Sequence, residues 1–226
     1  ANRLWAHYFG RGLVEPIDDL RETNPAGNEP LLAAVARHLV EVKFDLKAFT
    51  RTLLDSRLYQ LSSIARAENN DDLQNFSHAI PKALPAEVLL DAICQVTGVP
   101  EKFNGWPRGY RAIQVWDNRM PSYFFRIFGR PVRASVCECE RSNEPSISQA
   151  LHLINSPEIQ AKLIAENGTA RRLANSKLNH DEIIDELFLS TVSRFPRDDE
   201  RTLFREVFAT TDRREAVADC LWTLLN

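Results

Sequence analysis

Apolar residues recur along most of this chain at the three-to-four-residue spacing of a buried helix face, and almost nowhere with the alternation of a half-buried strand. Leu31, Leu32, Val35, Leu39 and Val42 form an i, i+3/i+4, i+7 stripe behind Asn28, a good N-cap. Asp45 caps a following helix that carries Leu46, Phe49, Leu53 and Leu54 inward. Pro85 suits the first turn of a helix over 86–97, which Gly98 closes. Helices resume near Ser146 or Ser148, and Ser156 followed by Pro157 is a cap and first turn. Gly168 reads as a terminator, and Asn179 with Glu182 as a capping box for Ile183, Ile184, Leu187 and Phe188. Asp198 opens a helix bearing Leu203, Val207 and Phe208, and Thr211 or Asp212 one bearing Val217, Leu221, Trp222 and Leu225. The expectation is an all-α fold of roughly nine helices arranged as helical hairpins. Residues 1–9, with Leu4, Trp5, Tyr8 and Phe9 on one face, read as the middle of a helix whose cap lies upstream, as in a fragment of a larger protein.

The periodicity fails between 100 and 145. This stretch holds five of the twelve prolines, and its aromatics cluster as Phe103, Trp106, Tyr110, Trp116, Tyr123, Phe124, Phe125 and Phe128. Residues 112–116 fit a short strand, so one strand pair is admitted within an otherwise helical domain spanning 1–226. A long irregular insertion of this kind is more often functional, or held by specific contacts, than idle.

Composition narrows the partners. With 28 Lys plus Arg against 31 Asp plus Glu, the net charge is -3 and the signs are interspersed, which gives no general pull toward nucleic acid or anionic membrane. The apolar runs are only a few residues long, far below a bilayer span, so no membrane insertion is expected. The insertion is the exception in charge, with eight Lys/Arg against five acids. Its Trp and Tyr faces beside Arg combine apolar area with directed donors, which suits a sugar ring, an anionic ligand or a partner surface. The candidates are Trp106, Arg108, Tyr110, Arg111, Trp116, Arg119, Arg133 and Arg141. The competing explanation is structural: the aromatics fill the core, and the arginines pair with Glu138, Glu140, Glu144 and helix C-termini.

Catalytic signatures are sparse. Cys137 and Cys139 sit two residues apart with Glu138 and Glu140 interleaved, a spacing open to a soft metal, a local disulfide or reduced thiols. Cys94 and Cys220 are too distant in sequence to assign as further ligands. The chain carries no C-x-x-C-H, H-E-x-x-H, G-x-S-x-G or phosphate-binding glycine loop, so no cofactor is expected in this segment and no catalytic residue is assigned. The five histidines stand alone, and Asp18-Asp19 and Asp71-Asp72 are loop carboxylates open to acid/base work, which capping and solvation explain as cheaply.

Several stretches together carry a resemblance. They are Asn2-Arg-Leu-Trp-Ala-His-Tyr-Phe-Gly-Arg-Gly-Leu-Val14, Ser56-Arg-Leu-Tyr-Gln-Leu-Ser62, Leu84-Pro-Ala-Glu-Val-Leu-Leu-Asp-Ala-Ile93, Phe128-Gly-Arg-Pro131, Cys137-Glu-Cys-Glu-Arg141, Gln149-Ala-Leu-His-Leu-Ile-Asn155 and Leu189-Ser-Thr-Val-Ser-Arg-Phe-Pro196. Nearly the whole chain resembles the C-terminal planctomycete-specific domain of unknown function of large exported proteins. The resemblance implies export to the periplasm or beyond, a cytochrome-c-like upstream domain bearing haem c in the same polypeptide, and a link to polysaccharide or sulfated-glycan use. Export would favour a Cys137–Cys139 or longer-range disulfide. Two function classes follow. One is a non-catalytic helical module that docks a partner domain or binds a glycan through the central segment. The other is a catalytic or redox domain using Cys137 and Cys139, or central arginines and carboxylates.

Overall fold

The computed structural model describes residues 1–72, 74–117, 120–131 and 146–226. Among these residues the fold is all-helical, with eleven α-helices and no strand. The described residues form two compact units, Ala1–Lys82 and Ala83–Asn226. No described helix is long and apolar enough to cross a membrane.

The first unit contains α1 (Asn2–Phe9), α2 (Glu29–Glu41) and α3 (Leu46–Leu54). Asn28 and Asp45 cap α2 and α3 through their side chains, as the sequence predicts. The core joins Trp5, Phe9, Leu13, Val35, Phe49, Leu53 and Phe76, with Trp5 stacked on Phe9 at 4.1 Å. Leu46 lies outside it, 56% exposed, although it shares the helical spacing of Phe49 and Leu53. Asn2 is buried and held on both sides of its amide. Its Oδ1 accepts from Leu13 N (2.8 Å) and Val14 N (3.2 Å), and its Nδ2 donates to Val14 O (2.9 Å) and Ile17 O (2.8 Å). One side chain thereby meets the backbone hydrogen-bonding needs of the loop after α1.

The second unit contains α4 (Ala86–Thr97), a 3-10 turn (Ala112–Gln114), α5 (Tyr123–Ile127), α6 (Ile147–Asn155), α7 (Pro157–Leu163), α8 (Thr169–Ala174), α9 (His180–Val192), α10 (Asp198–Thr210) and α11 (Arg213–Leu225). α11 packs against α7, α8, α9 and α10, burying Ala216, Val217, Cys220 and Leu221 against the Ile183, Ile184, Leu187 and Phe188 face of α9. Arg213 at its start donates to the carbonyls of Ala174 (2.9 Å), Ser176 (3.1 Å) and Leu178 (2.7 Å), closing the exposed end of α8.

Several sequence expectations are corrected. The strand expected over 112–116 is instead a single 3-10 turn, because Asp91 binds the N–H groups of Ala112 and Ile113 and leaves no ladder to join. Gly168 is the N-cap of α8 rather than the end of α7. Arg197, not Asp198, occupies the N-cap position of α10, where its N–H donates to Glu200 Oε2 (2.8 Å). On α10 the buried side chains are Phe204 and Phe208, while Leu203 is 56% exposed, so the stripe lies one position further on.

α4 carries the fold's central ion pair. Glu87 shares the helix face of Leu90, Ile93 and Thr97, and both its side chain (7% exposed) and that of Arg130 (3%) are buried, with Nε 3.4 Å from Oε1. Arg130 also donates through Nη2 to Val115 O and lies 4.3 Å over the Phe125 ring. Removing one partner takes a countercharge away from a buried ion, so Glu87→Gln or Arg130→Met is expected to cost about 3–5 kcal/mol of unfolding free energy. The joint Glu87→Leu, Arg130→Met variant should lose less than the sum of the two single losses. Urea unfolding followed by circular dichroism measures all four proteins.

At the α9–α10 junction, Arg194 makes two 2.7 Å bonds to Glu200. These bonds, aided by the Arg197 N–H, hold the Glu200 carboxyl down at about 2, from an ordinary value of 4.5. Because the folded value is depressed, this contribution to stability is complete above about pH 4.5 and is lost as the pH falls toward about 2. The gap in urea midpoint between the parent and Glu200→Gln should therefore be widest near neutrality and close by about pH 2. A gap that stays constant with pH would show that the carboxylate charge plays no part.

Candidate functional site

Phe103-Asn-Gly-Trp-Pro-Arg-Gly-Tyr110 folds as two successive tight turns, with Trp106 N donating to Phe103 O (3.1 Å) and Tyr110 N to Pro107 O (3.4 Å). Gly105 (φ 83°) and Gly109 (φ 82°) occupy the third position of each turn, where a left-handed backbone requires glycine. The turns bring Trp106 and Tyr110 together at 5.1 Å, and Trp116, beyond the 3-10 turn, meets Trp106 edge-on at 5.6 Å and 73°. Trp106 and Tyr110 lean their inner edges on the core of the second unit, whereas Trp116 is 78% exposed. Ile113 and Arg108 also face solvent nearby along the chain.

Core filling accounts for part of the aromatic cluster. Phe103, Phe124 and Phe125 are buried, with Phe103 and Phe125 stacked at 6.2 Å. It does not account for Trp116, which among the described residues meets the Trp106 ring alone and stays largely exposed. Arg111 has a structural commitment, since its Nε lies 3.4 Å from Asp91 Oδ2. The same carboxylate accepts from Ala112 N (2.6 Å) and Ile113 N (3.2 Å), so Asp91 fixes the 3-10 turn from the neighbouring helix. Of the candidate residues, Trp106, Arg108, Tyr110, Arg111 and Trp116 therefore fall within one short loop-and-turn segment. Arg119, Arg133, Arg141, Cys137 and Cys139 lie outside the described residues.

A family model described as PSD1, protein of unknown function (DUF1553), matches residues 1–208. The chain belongs to that family. No curated protein and no solved structure matches it. The stretches that carried the resemblance place several side chains at main-chain junctions of this family member. Asn2 holds the loop after α1, Glu87 and Asp91 hold the segment that bears the aromatic surface, and Gln149 Nε2 donates to Ile127 O (3.1 Å).

Sequence reasoning passed over Glu87, Asp91 and Lys162, and set His152 aside with the other lone histidines. The readable signal was a carboxylate on an apolar stripe: Glu87 falls three and six residues before Leu90 and Ile93, where a buried acid requires a buried base. Lys162 is likewise buried, reaching Glu101 Oε2 and Val99 O, each at 3.2 Å. Among the described residues no group of three or more His, Cys, Asp or Glu converges as metal ligands would.

The two described thiols are hydrophobic fillers in character. Burial pushes Cys220 up to about 12, and burial also raises Cys94, so both stay protonated at neutral pH. Iodoacetamide at pH 8, followed by peptide mass spectrometry, should label Cys94 and Cys220 only slowly in the native protein and rapidly in urea. Fast native labelling of either would contradict this placement.

Proposed function

We propose that the chain is a non-catalytic helical interaction and ligand-binding module of an exported, multidomain planctomycete-type protein. Its aromatic surface over 106–116 takes up polysaccharide, and its partner in the same polypeptide is a cytochrome-c-like domain carrying haem c. The observation that carries this reading is Trp116, held edge-on against Trp106 while 78% exposed, on a segment fixed to α4. Exposing so much indole costs apolar burial, and rings presented this way offer flat apolar area to the C–H faces of sugars. Arg108 adds a planar donor fork suited to sulfate or carboxylate substituents. A non-catalytic role is supported by the commitments of the nearby ionisable groups: Asp91 and Glu87 hold backbone and arginine, and the buried Cys220 and half-buried Cys94 thiols are kept protonated.

The test is a titration of the chain, followed by its tryptophan emission, with dextran sulfate and with neutral dextran. Dextran sulfate is expected to change the emission saturably. Trp116→Ala and Arg108→Gln should each weaken that binding about tenfold, while leaving stability within about 0.5 kcal/mol, as exposed substitutions do. Binding that survives Trp116→Ala unchanged, or absence of binding to either polymer, would remove the aromatic surface as the site.

A further inference from the structure

The second unit contains a cleft of about 230 Å³ between α4, α5, α6 and α7, built from residues that the aromatic surface does not use. Its volume lies below the roughly 300 Å³ at which sites for drug-sized ligands begin, so it fits a molecule of single-ring size. Phe103, Met120 and Phe124 supply apolar wall. His152 from α6 lines the same cleft, 9% exposed, with its ring 5.3 Å from Tyr123 and 5.6 Å from Phe124. Neither nitrogen of that ring makes a hydrogen bond among the described residues, and Nε2 is fully buried. An imidazole always carries at least one N–H, and leaving a buried polar group unsatisfied costs about 1–3 kcal/mol. Nε2 has no accessible surface for a ligand to reach, so a ligand in the cleft would meet the ring at Nδ1, the unbonded nitrogen that keeps some access.

The remaining polar groups give the sign of the ligand. Both carboxylates of the cleft have partners: Glu101 accepts from Lys162 Nζ (3.2 Å) and Lys102 N (2.9 Å), and Glu158 accepts from Ser156 Oγ (3.0 Å). Lys162 is committed to Glu101 and the Val99 carbonyl. Among the described residues, the Lys102 ammonium and the Tyr123 hydroxyl make no hydrogen bond, and Ser122 Oγ accepts from Phe125 N while keeping its own O–H to give. Lys102, Tyr123 and Ser122 thus remain as donors with one full positive charge, while Glu158, bonded by Ser156 Oγ, and the Asn104 amide keep acceptors. We propose that this cleft binds a small single-ring carboxylate, its anionic group held by Lys102, Tyr123 and His152 and its ring against Phe103, Met120 and Phe124. This site goes beyond the polysaccharide reading and shares none of its residues.

The test uses 4-fluorobenzoate, with 4-fluorobenzamide as the neutral analogue. Both are followed by fluorine NMR of the probe and by the side-chain nitrogen shifts of His152 in histidine-labelled protein. The acid is expected to bind saturably, to move the His152 signals and to outcompete the amide by about tenfold. Lys102→Gln and Tyr123→Phe, both at exposed side chains, should each weaken it about tenfold, as loss of a charge-assisted bond does. Equal binding of acid and amide, an unmoved His152 or no binding would each overturn the proposal. Because none of these readouts involves Trp116 or a polysaccharide, failure here leaves the preceding reading untouched, and the converse also holds.

Discussion

The buried pair between Glu87 and Arg130 is the constraint on which the irregular part of this protein depends. Its two charges lie within an apolar core, where each gains a countercharge from the other. Arg130 extends the tie beyond α4, since the same guanidinium reaches the Val115 carbonyl and covers Phe125. One side chain therefore joins the helix, the exit of the 3-10 turn and α5. One turn along α4, Asp91 continues the arrangement by binding Arg111 and the first N–H groups of that turn. A segment whose own backbone bonds are confined to isolated turns is thus given further partners by the acidic positions of a single helix.

The same device recurs elsewhere in the chain. Asn2 satisfies the main chain after α1, Arg213 collects three carbonyls beyond α8, and Glu200 binds Arg194 while closing the capping box of α10. Asn2, Glu87, Asp91, Arg130 and Arg194 all fall within the stretches that carried the resemblance. Their visible work is to fix loops and helix ends in position. The same loops carry the Trp106, Tyr110 and Trp116 rings and part of the lining of the cleft beside His152, the two places proposed above for recognition. The rigidity of the support bears on both, because a ring or donor that is already placed loses little conformational freedom on binding.

The helical class and most caps were legible in the sequence because they are local. Asn28, Asp45, Ser156 and Asn179 each act on N–H groups two or three residues away, and the Ile183, Ile184, Leu187 and Phe188 stripe is a property of one helix. The aromatic character of residues 103–128 was equally plain, as was its departure from helical periodicity. The tertiary structure decided which rings are core and which are surface. Phe125 and Trp116 look alike in the sequence, yet one lies under a guanidinium and the other in water. It also decided that residues 112–116 turn rather than extend, since the determining acid, Asp91, is 21 residues away. Periodicity and capping report interactions within a few residues, whereas the partner of a buried charge and the exposure of a ring depend on contacts between distant segments, which no local pattern encodes.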